Sequence, residues 1–229
     1  MRKFLIVFVL VAVSMYAQTK DPNKLLDAVK TRFEKVKDYQ ADVEVKLDME
    51  FIKVPPSKAK VYFKQPDKFK IDTEGFAMLP KQGTNFSPMQ LLKGDYTAVY
   101  VRSDKVDGKS LDVVKLVPNT DTSDFIISTL WIDASQSIIH KVETTTKRSG
   151  TVKTEFTYLP SSTPLPTILK ISFNLGEANL PDAPGVAEKK DNGRMGGRAA
   201  KIKGSVIMTY ANYKINKGIS DKFFVEKKK

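Results

Sequence analysis

From Tyr39 to Phe51 apolar and polar residues alternate without a break: Tyr39, Ala41, Val43, Val45, Leu47, Met49 and Phe51 on one side, Gln40, Asp42, Glu44, Lys46, Asp48 and Glu50 on the other. Strand side chains point to opposite faces with period two, so the pattern predicts one strand with an apolar face and a charged face. At ~3.3 Å per residue it would reach roughly 43 Å, about twice an ordinary strand. Such strands build a sheet with one large apolar face. That face either packs on a second sheet or curls into a groove of lipid size.

The flanking patterns complete the picture. Asp21 is a good N-cap with Pro22 at the first helical position, and Leu25, Leu26, Val29, Phe33 and Val36 recur on one face, which predicts a helix reaching Asp38. Strands are expected at 58–64 and 68–73 around the Gln65-Pro66-Asp67 turn. Others are expected at 96–102, 110–117, 124–132, 138–146, 151–158, 167–175 and 203–213, divided by signals such as Asp107-Gly108, Pro118-Asn119 and Ser149-Gly150. About ten strands with few helices read as one large antiparallel sheet covered on one side. Two stretches break the pattern. One runs from Glu74 to Gly94, mixes Phe76, Met78, Leu79, Phe86, Met89, Leu91 and Leu92 with Pro80, Gly83 and Pro88, and promises a short helix after Ser87. The other, 176–201, is rich in glycine and reads as a mobile loop, an insertion or a gate.

Composition then sets the compartment. Met1-Arg2-Lys3, the apolar run Phe4 to Val13 and a small residue at Ala17 form a secretory signal too short to span a bilayer, with cleavage expected after Ala17. The remainder, 18–229, is expected to be one domain. It has no cysteine, so it can use neither disulfides nor an N-terminal lipid anchor and must be stabilised by its core. Loss of Arg2 and Lys3 lowers the formal charge from +12 to +10. That excess suits solubility or contact with anionic head groups; no helix gathers it onto one face as nucleic-acid binding would need.

Chemistry is hard to assemble from this sequence. His140 is the only histidine, so neither a multi-histidine zinc site nor a histidine–cysteine pair can exist, and it reads as an ordinary strand residue. Asp104 to Lys109 lacks the ligand spacing of a calcium loop and reads as a hairpin turn. Two acids could meet across a sheet as a glycosidase pair, but nothing in the sequence singles a pair out, and no catalytic residue, metal site or cofactor is expected.

The order of features nonetheless resembles a known family. The opening helix and long strand are followed by Val61-Tyr62-Phe63-Lys64-Gln65-Pro66-Asp67-Lys68-Phe69, then Leu130-Trp131-Ile132-Asp133 with Ile139-His140-Lys141-Val142-Glu143, and finally Tyr213 to Phe224. Over nearly the whole mature chain this resembles the LolA-type outer-membrane lipoprotein-sorting proteins. The resemblance implies a mainly β fold: a curved antiparallel half-barrel of about ten to eleven strands, with helices over its concave face. It implies a periplasmic carrier that holds acyl chains of lipoproteins or lipids, meets an inner-membrane donor and an outer-membrane acceptor transiently, and works as a monomer without nucleic acid. The alternative is a sensor or scaffold like the RseB-type relatives of this fold, binding a lipid or an envelope protein without transfer.

Two further expectations join pattern and resemblance. Alternation places Val43, Val45, Leu47, Val61, Phe63, Phe69 and Ile71 on one concave surface, with Ile207 joining from the last strand. Phe76, Met78, Leu79, Met89, Leu91 and Leu92 form either a lid that competes with cargo or a core plug. In the family an arginine just before the hairpin proline helps hold the lid shut. Here that gate position is Gln65, which can donate hydrogen bonds but brings no charge.

Overall fold

The computed structural model describes residues 20–49, 52–53, 55–74, 89, 92–147, 150–159, 163–178 and 200–224. The signal segment, Phe76, Met78, Leu79 and Leu91 of the expected lid, and 179–199 of the expected loop lie outside the described residues. The first element is helix α1 (Pro22–Glu34), and Asp21 caps it by accepting a hydrogen bond from the Asn23 backbone at 2.9 Å. The helix ends earlier than the periodicity predicts. Val36 stays buried, but the chain has already turned at Lys35, and Asp38 opens the first strand.

Among the described residues eleven strands follow: β1 (Asp38–Met49), β2 (Ile52–Lys53), β3 (Ser57–Lys64), β4 (Lys68–Glu74), β5 (Tyr96–Val106), β6 (Lys109–Pro118), β7 (Phe125–Asp133), β8 (Ile138–Thr146), β9 (Gly150–Thr157), β10 (Ile168–Ala178) and β11 (Ala200–Ile215). They form one antiparallel sheet in the order β4-β3-β1-β11-β10-β9-β8-β7-β6-β5, with β2 folded back on the end of β1. The path does not return on itself, so the sheet is an open, curved half-barrel with β4 and β5 at its edges. Of the single strand expected to Phe51, β1 covers the part to Met49, and Glu50 and Phe51 lie outside the described residues. The outer parts of the expected 176–201 loop are strand, since β10 runs to Ala178 and β11 begins at Ala200.

Local chemistry sets the turns and the register. Asp107 and Gly108 both take positive φ, 48° and 78°, as a tight two-residue hairpin demands. On β11 the register slips where β1 passes from Gln40 to Asp42, next to Asn212 at φ 54°. The bulge changes the parity of β11, so that Tyr210 and Tyr213, three residues apart, both turn inward and stack at 6.0 Å.

Cross-strand partners share a face, and one row of the concave surface can be followed through seven strands: Val114, Leu130, Val142, Thr154, Ile171, Val206 and Leu47. The core lies along this face, with Leu26 and Val29 of α1 packed into it. The opposite face carries charge pairs, for example Lys141 beside Glu143 at 3.2 Å and Lys153 beside Glu155 at 2.9 Å, and a smaller apolar cluster of Leu111, Val113 and Trp131. A 3-10 turn (Asp221–Phe224) closes the described chain along β4, where Phe223 packs on Tyr62 at 4.5 Å.

Candidate functional site

The register brings together most of the residues expected in a groove. Val43, Val45, Val61 and Phe63 are buried on the concave face, and Phe69 and Ile71 are partly buried there beside them. Leu47 lies on the same face, opposite Val206. Ile207 does not join them. It sits opposite Lys46 and Lys170, on the charged face, and its neighbours Val206 and Met208 point inward instead. The run Val206-Ile207-Met208 is apolar at both parities, so alternation alone could not choose between them.

A cavity of about 60 Å³ lies at one end of this face, beneath α1. Val29 and Phe33 of the helix form its roof, Met89 closes one side, and Phe156, Leu169 and Tyr210 belong to its floor. Pro164, Leu165 and Pro166, between β9 and β10, strap another side. Phe33 meets Phe63 edge-on at 5.7 Å, and Phe63 stacks with Tyr39 at 5.2 Å. Of the expected lid, Met89 lines the cavity and Leu92 is buried in the core.

Four phenols surround the same space, and sequence reading had not singled them out as lining. Tyr158 donates to the Ile139 carbonyl at 2.8 Å and Tyr213 to the Pro166 carbonyl at 2.7 Å, which fixes the β8 start and the strap to the floor. Tyr210 reaches the Met208 sulfur at 3.8 Å, a weak acceptor. Tyr39 adjoins Tyr213 at 5.8 Å. Burial pushes all four hydroxyls above the ordinary tyrosine range, so they are neutral donors at any physiological pH. The signal that could have found them is the aromatic spacing of Tyr210 and Tyr213, hidden by the bulge.

Gln65 acquires a clear role. From the β3–β4 turn its side-chain nitrogen donates to the carbonyls of Glu34 at 3.0 Å and Val36 at 2.8 Å, just where α1 ends. Asn216 completes the clasp. It donates to the Lys35 carbonyl at 2.9 Å and accepts from the Lys37 backbone at 2.7 Å. These contacts satisfy carbonyls that a helix end leaves open and explain why the helix stops before Asp38. They also latch the cavity roof to the sheet. Arg32 adds a third tie, donating to the Gln136 carbonyl in the turn before β8.

Among the described residues no cluster of three histidine, aspartate or glutamate side chains could hold a metal ion. Also among the described residues, no helix is long and apolar enough to cross a membrane.

No protein-family model matches the chain, and no curated protein matches its sequence. Solved structures do. The fold is similar to that of a domain named for outer-membrane lipoprotein sorting from Vibrio parahaemolyticus, at TM-score 0.57 and 10% identity over 89% of this chain and 97% of the other. A LolA superfamily protein from Nitrosomonas europaea matches at TM-score 0.56 and 14% identity, covering 90% and 98%. A DUF1329 family protein from Desulfovibrio piger matches at 0.59 and 11%, again over 90% and 98%. The fold is LolA-like.

Proposed function

We propose that this protein is a periplasmic carrier that takes acyl chains of lipoproteins or lipids into the concave face of the half-barrel and passes them towards the outer membrane. The observation that supports this most directly is the apolar, aromatic-lined cavity under a latched helix. At about 60 Å³ it is far smaller than the roughly 300–1,000 Å³ of a typical small-molecule site, so cargo enters only if the roof lifts.

Magnitudes favour such an exchange. Enclosing sixteen carbons, at ~0.8 kcal/mol per methylene, is worth on the order of 12 kcal/mol before entropic and desolvation costs. Val29 and Phe33 regain about 1.5–3 kcal/mol each when they settle back onto an empty floor. The roof thus offsets part of the cargo's binding energy, which keeps release within reach.

Extraction and mass spectrometry of ligands from the natively purified protein should reveal acyl lipids, and a fluorescent fatty-acid probe should bind and be displaced by them. The expected groove member Leu47 extends the test along the sheet. Leu47→Glu places a carboxylate on the apolar row and should abolish uptake while the circular dichroism stays that of the parent. Normal uptake by the folded variant would put the groove elsewhere. Transfer of bound lipid to acceptor vesicles separates a carrier from a sensor that only holds it.

A further inference from the structure

Beside the apolar cavity, on the outer flank of α1, runs a second, open cleft bordered by Thr31, Arg32, Lys35, Ser135, Gln136 and Ser137. Ser137 lines both spaces, so the cleft adjoins the cavity. We infer that this cleft receives the anionic head of an acyl ligand, a carboxylate or a phosphate, whose chain lies under α1; the inference rests on the acyl-binding reading above.

The chemistry of the border carries it. It supplies two cations, the hydroxyls of Thr31 and Ser137 and the Gln136 amide, and no carboxylate, while the Ser135 hydroxyl already donates to Asp133. Residues 28, 31, 32 and 35 share one helix face, so Arg32 and Lys35 point to the same side. Among the described residues neither cation is in an ion pair. Arg32 engages the Gln136 carbonyl through one nitrogen and keeps a planar fork suited to an oxyanion.

The acids nearby do not neutralise the cleft. Asp133 lies beneath the turn, accepts from Ser135 Oγ at 2.6 Å and Gln136 N at 3.1 Å, and turns its other oxygen to His140 at 3.8 Å. Asp27 pairs with Lys30 at 3.5 Å, and Glu34 stands on another side of the helix. The partial negative charge expected at a helix C-terminus is blunted as well, because Gln65 and Asn216 occupy its carbonyls. A lipoprotein's acylated end is joined through neutral esters and amides, so this border favours an anionic lipid over a lipoprotein.

The test is displacement of a neutral fluorescent acyl probe by three ligands of one chain length: palmitate, hexadecyl phosphate and hexadecanol. In the wild type the preferred anion should act at about tenfold lower concentration than the alcohol, the scale of one charge-assisted hydrogen bond. Which anion leads decides carboxylate against phosphate. Millimolar inorganic phosphate should compete with hexadecyl phosphate and leave hexadecanol unaffected. Lys35→Gln, which leaves the α1 contacts intact, should shrink the preference, and Arg32→Gln with Lys35→Gln should bring it near unity. Because a loosened helix changes all ligands together, the ratio is the readout. Equal displacement by all three in the wild type, or a preference that survives the double substitution, overturns the head-group site while acyl binding stands. Failure of every ligand to displace the probe overturns both.

Discussion

His140 is the chain's only histidine, and its environment gives the molecule a defined response to acid. Burial in β8 holds the imidazole below its ordinary value, Lys109 pushes the same way, and Asp133 and the Phe156 carbonyl oppose them. Its Nε2 has no hydrogen-bond partner among the described residues, while the ring meets Tyr158 edge-on at 5.5 Å. A base whose folded value is depressed takes up its proton more readily when unfolded. Its contribution to stability is therefore present above about pH 6.5 and is lost as pH falls through the folded value. Denaturant midpoints should drop between pH 7.5 and pH 5, and His140→Gln should flatten that slope; an unchanged slope would remove His140 from the account. Sequence placed this residue correctly in a strand, but its partners come from β7 and β9 and could not be read from alternation. The same holds for Ile207, where three apolar neighbours in a row left the inward parity open.

At the scale of elements, α1 was legible from its cap and its apolar stripe, and its end was not. The stripe continues to Val36, yet the helix stops because Gln65 and Asn216, distant in sequence, take its last carbonyls. The resemblance drew attention to Gln65, and the structure shows what it grips. If α1 must lift for cargo to enter, Gln65→Ala removes two hydrogen bonds of about 0.5–1.5 kcal/mol each from the closed state alone. Apparent acyl affinity should rise by about tenfold, with a lower thermal midpoint. Met89→Ala should act in the same direction by thinning the cavity wall. Gln65→Arg adds a cation at a helix C-terminus and should lower affinity. Titration of the three variants with the acyl probe decides the matter: unchanged affinity throughout, with folding confirmed, would make α1 a fixed cover.

The whole sheet was legible as a class, since ten strands were expected with their turns, but its strand order was not, because pairing of the first strand with the last leaves no local trace. Its two edges are treated differently. Along β4, Asp221 pairs with Lys64 at 2.7 Å and Lys68 at 3.0 Å, and Lys70 lies over Phe223 at 4.2 Å. The β5 edge instead relies on a register shift between Tyr100 and Arg102 and on exposed Arg102 and Lys105, beside the exposed Val99 and Val101. These devices discourage edge-to-edge pairing. Arg102→Val with Lys105→Val should give larger, concentration-dependent species than the parent in sedimentation velocity, and a variant that sediments as the parent does would show the edge to be protected otherwise. The joining position belongs to β11, sixteen residues long, which pairs with β1 from Tyr39 opposite Ile215 and with β10 on its other side. A chain emerging N-terminus first can form the β3–β4 hairpin and the β5–β10 meander early, but the two halves have no common strand until the final stretch is made. Closure therefore waits on contacts of very long sequence separation, which are slow to form. Until β11 is made, the strands β1, β3 and β4 and the meander β5–β10 are two partial sheets with no ladder between them.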